Sequence, residues 1–271
     1  MSLVRIGLRI AAVEALKGQT RVLDNVLDSQ IAALDIGADG AVRTDEEKPF
    51  IAVYTSGAVH EGSNDLRMML DNGLTEIEFE MGISAAMTET NDNTGESFIV
   101  EGMPATDPAY EFHLDMVARE IADTLNDPAN EWAEIYRGLV MSYVKIEHAR
   151  TSSGHIGVKL AGRQIRVTAQ LIEDPAKGTV LPPEAPLARL IAKLAVHANP
   201  VRQVQGAILA SAISGSDEPW DAVRRHLGMT ADELAALGLS PLVGDDGEPA
   251  PEGTLATLDI EGRAGIEVEN G

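Results

Sequence analysis

Apolar residues first recur along the chain at helical spacing. Leu3, Ile6, Ile10, Val13 and Leu16 share one stripe that stops before Gly18, which predicts an amphipathic helix over 3–17 packed on an apolar surface. The period then shortens to two. Residues 21–29 and 49–55 read as strands, the second with Ile51, Val53 and Thr55 on one side and Phe50, Ala52 and Tyr54 on the other. The acidic stretch 37–48 between them reads as a loop. Strict alternation returns over 74–81, where Ile77, Phe79 and Met81 oppose Glu76, Glu78 and Glu80. Residues 88–107 carry Asn91, Asp92, Asn93, Gly95, Gly102 and Pro104, the composition of a long loop or an extended hairpin arm.

Two helices are predicted next. Tyr110, Leu114, Val117, Ile121 and Leu125 form the buried stripe of the first, which stops at Asn126, Asp127 and Pro128. Trp132, Ile135, Leu139, Tyr143 and Ile146 repeat the spacing in the second, and the short polar connection makes the two an antiparallel pair against a sheet. A last strand over 163–172 alternates Ile165, Val167, Ala169 and Leu171 with Gln164, Arg166, Thr168 and Gln170. Strands with one polar and one apolar face imply an α+β fold, a mostly antiparallel sheet with helices packed on one face.

The character changes after Gly178. Pro182, Pro183 and Pro186 predict a stiff linker, and short helices replace the strands. Asn199 before Pro200 caps a helix carrying Val201, Val204, Ile208 and Ile213, and Thr230 with Glu233 forms a capping-box pattern ending at Gly238. Segments 255–260 and 266–268 suit a small hairpin. Two units are therefore expected, an α+β domain over 1–177 and a mainly helical extension over 178–271.

Length fits that division, since 271 residues exceed the roughly 100–200 of a common single domain. No stretch approaches the roughly 18 apolar residues of a membrane span, and the charged residues within 1–19 do not suit a secretory leader, so the expectation is a protein of the cytoplasm with no membrane partner. The absence of cysteine removes disulfides, zinc knuckles and thiol nucleophiles. A formal charge of −22 argues against a surface that wraps nucleic acid.

Chemistry is sparse. His60, His113, His148, His155, His197 and His226 are scattered with no metal-ligand spacing, so no metal is expected. Ser152, Ser153 and His155 fall in a Gly-containing turn with no triad logic, and neither a GxSxG nor a phosphate-binding glycine pattern occurs. Trp132, Tyr136 and Tyr143 read as core packing. Carboxylates are too abundant to mark an acid/base pair, which leaves no positive feature for an enzyme, no catalytic residue and no cofactor.

The order of these elements resembles the tail terminator family of long-tailed bacteriophages over about residues 1–177. Local phrases carry the likeness: LRIAAVEALKG at 8–18, RVLDNVLDSQ with IAALD after it, PFIAVYTSG at 49–57 and GRQIRVTAQLIEDP at 162–175. The resemblance implies a structural virion protein, assembled in the host cytoplasm and placed at the head–tail interface. There a homo-oligomeric ring, six-fold in relatives, would cap the tail tube, end its polymerisation and meet a head completion or connector protein, while DNA passes without sequence-specific binding. A tail-tube or other neck protein is the nearest alternative, and a cytoplasmic carboxylate-dependent hydrolase is one from another class.

Two groups of residues follow as candidates. Thr88, Asn91, Asp92, Asn93, Thr94, Gly95 and Glu96 belong to the polar arm, which would reach a neighbouring subunit. Glu76, Glu78 and Glu80 stand about 6.5–7 Å apart on a regular strand and repel by roughly 0.6 kcal/mol per pair in water, so they need solvent or cations such as Arg166 or Arg163. Under the resemblance they would line the channel.

Overall fold

In the computed structural model the chain is described at residues 2–30, 35–36, 42–43, 48–59, 72–84, 88–90, 94–100, 103–104, 106–155, 158–215, 219–238, 256–258 and 266–268. Helix α1 (Leu3–Leu16) begins where the Ser2 hydroxyl accepts from the Arg5 amide at 2.9 Å. Its next free amides, at Leu3 and Val4, donate to the carboxylate of Asp174 at 2.8 and 2.9 Å, so a residue 170 positions away completes the cap. Ten of its fourteen residues are buried, which makes it a central helix where its spacing predicted only one apolar stripe.

The chain then turns. Gly18 adopts φ +67 and donates its amide to Leu23, itself at φ +55, so 21–24 is a turn and the strand expected over 21–29 shrinks to β1 (Val26–Asp28). Within the expected loop 37–48, β3 (Val42–Arg43) pairs antiparallel with β2 (Asp35–Ile36). Strands β4 (Phe50–Val59) and β5 (Leu74–Ser84) match their predicted alternation and pair antiparallel.

The expected arm contains β6 (Glu89–Thr90), β7 (Ser97–Val100) and β8 (Met103–Pro104), a three-stranded antiparallel meander. Helix α2 (Asp107–Asn126) follows, then α3 (Glu131–Leu139), capped by Asn130, whose side chain accepts from the Trp132 and Ala133 amides and donates to the Ala15 carbonyl.

Helix α3 stops at Leu139. Val140 leaves helical geometry and opens β9 (Val140–His155), sixteen residues that pair antiparallel with β10 (Val158–Leu171). Tyr143 and Ile146, placed on a helix by their spacing, therefore lie on a strand, and so do Ser152, Ser153 and His155, placed in a turn. The β-branched Val140, Val144 and Ile146 favour extended backbone, and the waiting edge of β10 decides the contest.

The main sheet has the order β1-β4-β5-β10-β9, antiparallel except for the β1–β4 pair. Helices α1 and α2 pack against its apolar face, where Ile51, Val53, Ile77, Phe79, Met81, Ile165 and Val167 are buried. This is the α+β arrangement expected, with helices on one side.

Beyond Gly178 come α4 (Pro186–Ala195), α5 (Pro200–Ile213), α6 (Pro219–Leu227) and α7 (Ala231–Ala236), then β11 (Ala256–Leu258) paired antiparallel with β12 (Ile266–Val268). Leu187, Leu190, Leu194, Leu209 and Ile213 of α4 and α5 join the same apolar cluster as the sheet and α1. The approach of α4 is close: a Cβ on Gly7 would stand 2.7 Å from Leu190 Cδ2. Arg202 of α5, buried, donates to Glu14 of α1 at 2.8 Å and to Asp28 of β1 at 2.6 Å.

Candidate functional site

Alternation along β5 sends Glu76, Glu78 and Glu80 to the sheet face opposite the helices. Register then sets their neighbours. Glu78 stands between Tyr54 on β4 and Arg166 on β10, with Glu147 of β9 beyond Arg166, while Glu80 stands between Ala52 and Gln164. Arg166 Nε donates to Glu78 Oε1 at 3.0 Å, and the Gln164 amide donates to both Glu78 and, at 3.3 Å, Glu80. Glu76 accepts from the Ser56 hydroxyl at 3.2 Å.

The three carboxylates are thus not equivalent. Glu78 is only 3% exposed, a charge that burial allows because a guanidinium and an amide satisfy it, whereas Glu76 and Glu80 are partly open. Burial, with the neighbouring Glu78 charge, pushes the Glu80 carboxyl upward against hydrogen bonds from Tyr54 and Gln164. Tyr54 is held protonated far above its ordinary range, first by burial and then by donating to Glu80 beside Glu78. The cross-strand cation is Arg166. Arg163 has the opposite parity and lies on the helix side, where it reaches Asp115 and Glu111 of α2.

This face is a hydrogen-bonded polar ladder whose members already hold one another. Its two closest carboxylates have different environments, Glu78 ion-paired and Glu80 pushed toward the neutral form. That is the electrostatic contrast an acid/base pair needs, but both are engaged by Gln164, so the arrangement orders the sheet before it offers a reactive group. Among the described residues no cluster of three or more His, Asp or Glu side chains is arranged to hold a metal ion.

Of the arm residues, Thr94, Gly95 and Glu96 are exposed, Gly95 at φ +69 with open space around it, and Thr88 is half-buried. Asn91, Asp92 and Asn93 lie outside the described residues.

A second surface was not legible in the residue pattern. Strand β9 is one of the two outer strands of the main sheet, with β3 close to part of it, and every residue from 141 to 150 is exposed. Met141, Tyr143, Val144 and Ile146 are 64%, 47%, 57% and 54% exposed; register opposite Ala169 and Val167 puts Tyr143 and Ile146 on the helix-side face, and Met141 and Val144 sit at two register shifts. Between β9 and α2 runs a groove of about 190 Å³ lined by Ala118, Ile121, Ala122, Leu125, Tyr143 and Ile146. The buried Tyr136 also lines it, its hydroxyl hydrogen-bonded with that of Tyr143. Tyr136 is core as expected, whereas Tyr143 is half-open, and Trp132 is partly buried with Lys193 Nζ 5.0 Å from its ring centroid. Apolar residues at both parities of 140–146 were the available signal, and helical spacing accounted for the same residues.

The remaining described histidines do not converge on either surface in a metal-like set. His113 is wholly buried in α2 with neither ring nitrogen hydrogen-bonded among the described residues, and His197 packs edge-on against Trp132 with Nε2 3.3 Å from Glu14. No helix of the described residues is long and apolar enough to cross a membrane. No protein-family model matches the chain, and no curated protein matches it significantly.

Proposed function

We propose that this protein is a structural subunit that acts by assembly, a ring-forming component of a phage neck in the manner of a tail terminator. One observation carries the reading: the outer strand β9 is exposed throughout 141–150 and carries four large apolar side chains there. Isolated soluble sheets avoid such an edge, because its unpaired amides, carbonyls and apolar groups recruit another chain. Assembled in the host cytoplasm, the ring would end tube growth, meet the tail-tube protein on one side and a head completion protein on the other, and work without turnover or cofactor.

The polar ladder fits the inner wall of such a ring. Carboxylates outnumber cations on it, and a wall of that sign repels DNA phosphates instead of binding them. With Glu78 ion-paired by Arg166 and the Glu80 carboxyl pushed upward by burial, the partly open Glu76 carries most of that role.

Mass photometry of the purified protein over nanomolar to micromolar concentration tests the assembly. The expected result is a monomer in equilibrium with one closed oligomer, a hexamer by the resemblance. Unlimited tubes would transfer the assignment to a tail-tube subunit, and a monomer at every concentration would remove it.

A further inference from the structure

Seven of the fifteen large apolar side chains exposed among the described residues lie on just two elements, β9 and α5. On α5 they are Val201, Val204 and Ile208, 61%, 59% and 62% exposed, at spacings of three and four on the face opposite Arg202, Gly206, Leu209 and Ile213. The inner face packs in the core and the outer face forms a convex apolar ridge. Its fourteen residues contain one charge, Arg202, and that guanidinium is buried.

The two surfaces lie at opposite ends of the sheet. Arg202 ties α5 to Asp28 of β1, the first strand in the order β1-β4-β5-β10-β9, while the groove opens between α2 and β9, the last. Four strand spacings, about 19 Å, separate these edges. One surface is convex and the other concave, so neither is complementary to itself but each suits the other. A ridge with anchors at i, i+3 and i+7 is the shape that an apolar groove receives.

Charge limits where two copies can meet. Two copies of a chain with a formal charge of −22 repel wherever carboxylates face one another, and a contact between copies must fall where they do not. The ridge exposes no charge. The groove's polar lining is Asn126 and His148, and on its two walls Lys145 pairs with Glu147 and Arg119 with Asp123, each at 2.8 Å.

We infer that copies of this chain associate head to tail, the α5 ridge of one seated in the β9–α2 groove of the next. This rests on the assembling-subunit reading and specifies the surfaces that meet. The contact is heterologous, so it closes into a ring when the rotation between copies divides a full turn.

Two variants test it, each altering exposed positions. V204E/I208E charges the ridge and leaves the groove intact, and A122E/I146E charges the groove and leaves the ridge intact. Circular dichroism and melting first establish that both keep the native fold. By mass photometry each variant alone should lose assembly by at least 100-fold in concentration. Their mixture should form a heterodimer and nothing larger, because only one good ridge and one good groove remain to meet. If the wild type assembles and V204E/I208E assembles equally well, the ridge is not the contact and this inference falls while the assembling-subunit reading stands. Persistent dimers of the ridge variant would show a symmetric β9-to-β9 contact instead and overturn it in the same way. A wild type that stays monomeric removes both readings.

Discussion

His113 sits in an environment at odds with its chemistry. Fully buried in α2, it has two ring nitrogens without a hydrogen-bond partner among the described residues. Burial first, and the nearby Arg21 charge second, lower its pKa to about 4 against the opposing pull of Glu120. The unfolded chain takes up this proton near pH 6.5 and the native protein only near 4, so stability falls as the pH drops through that window. The loss by pH 4 amounts to about 3 kcal/mol. H113L should raise stability at pH 7 by about 1–3 kcal/mol, the cost of leaving such groups unpaired, and should flatten the acid loss. Urea midpoints at pH 7.5 and 5 measure both, and an unchanged acid slope in the variant would assign the effect to other groups. The site residues teach a related lesson. Alternation alone placed Glu76, Glu78 and Glu80 on one face, and Glu78 meets Arg166 rather than Arg163 because only Arg166 shares its parity and register.

Among the elements, α5 is tied to α1 and β1 by one buried guanidinium. Arg202 reaches Glu14 at 2.7 Å and Asp28 at 2.6 Å, with both Arg202 and Glu14 side chains almost wholly inside. Burial would raise the Glu14 carboxyl, but Lys17 and Arg202 hold it below its ordinary value. R202M should therefore cost about 1.5–3 kcal/mol, because Glu14 keeps Lys17 at 2.9 Å but loses the buried guanidinium, whereas R202M/E14M should recover much of the loss. Thermal melts of the two variants check it, and equal melting of R202M and wild type would show the network to be energetically silent. Elements also mark where local pattern failed. Trp132, Ile135, Leu139, Tyr143 and Ile146 satisfy a helical period, yet the backbone changes at Val140 because β10 offers a long ladder of hydrogen bonds to whatever lies beside it.

For the molecule as a whole, the proline-rich stretch before α4 does not interrupt the core. Leu187, Leu190, Leu194, Leu209 and Ile213 are buried in the cluster that α1 and the sheet share. At about 1.5–3 kcal/mol for each such side chain, their removal is worth on the order of 10 kcal/mol, as much as the net stability of a typical domain. A chain ending at Lys177 should therefore lose cooperative unfolding in urea, while one ending at Gly215 should keep it. Cooperative melting of the shorter chain with native helix and strand signals would make residues 178–271 an independent unit after all.

The sequence by itself determined those features that a few neighbouring residues control. These are the helical period of α1 and α2, the alternation of β4, β5 and β10, the caps at Asn199 and Thr230, and the side of the sheet to which each carboxylate turns. Backbone sterics and side-chain periodicity act within a turn or a strand and leave their mark in the residue order. Tertiary structure decided what depends on groups far apart in the chain: that Asp174 caps α1, that 140–155 extends as an edge strand, that α4 and α5 enter the core, and that two apolar surfaces remain open at opposite ends of the sheet. Each is settled by which element supplies the missing hydrogen-bond partner or covers the apolar area, and no local window contains both halves of that match.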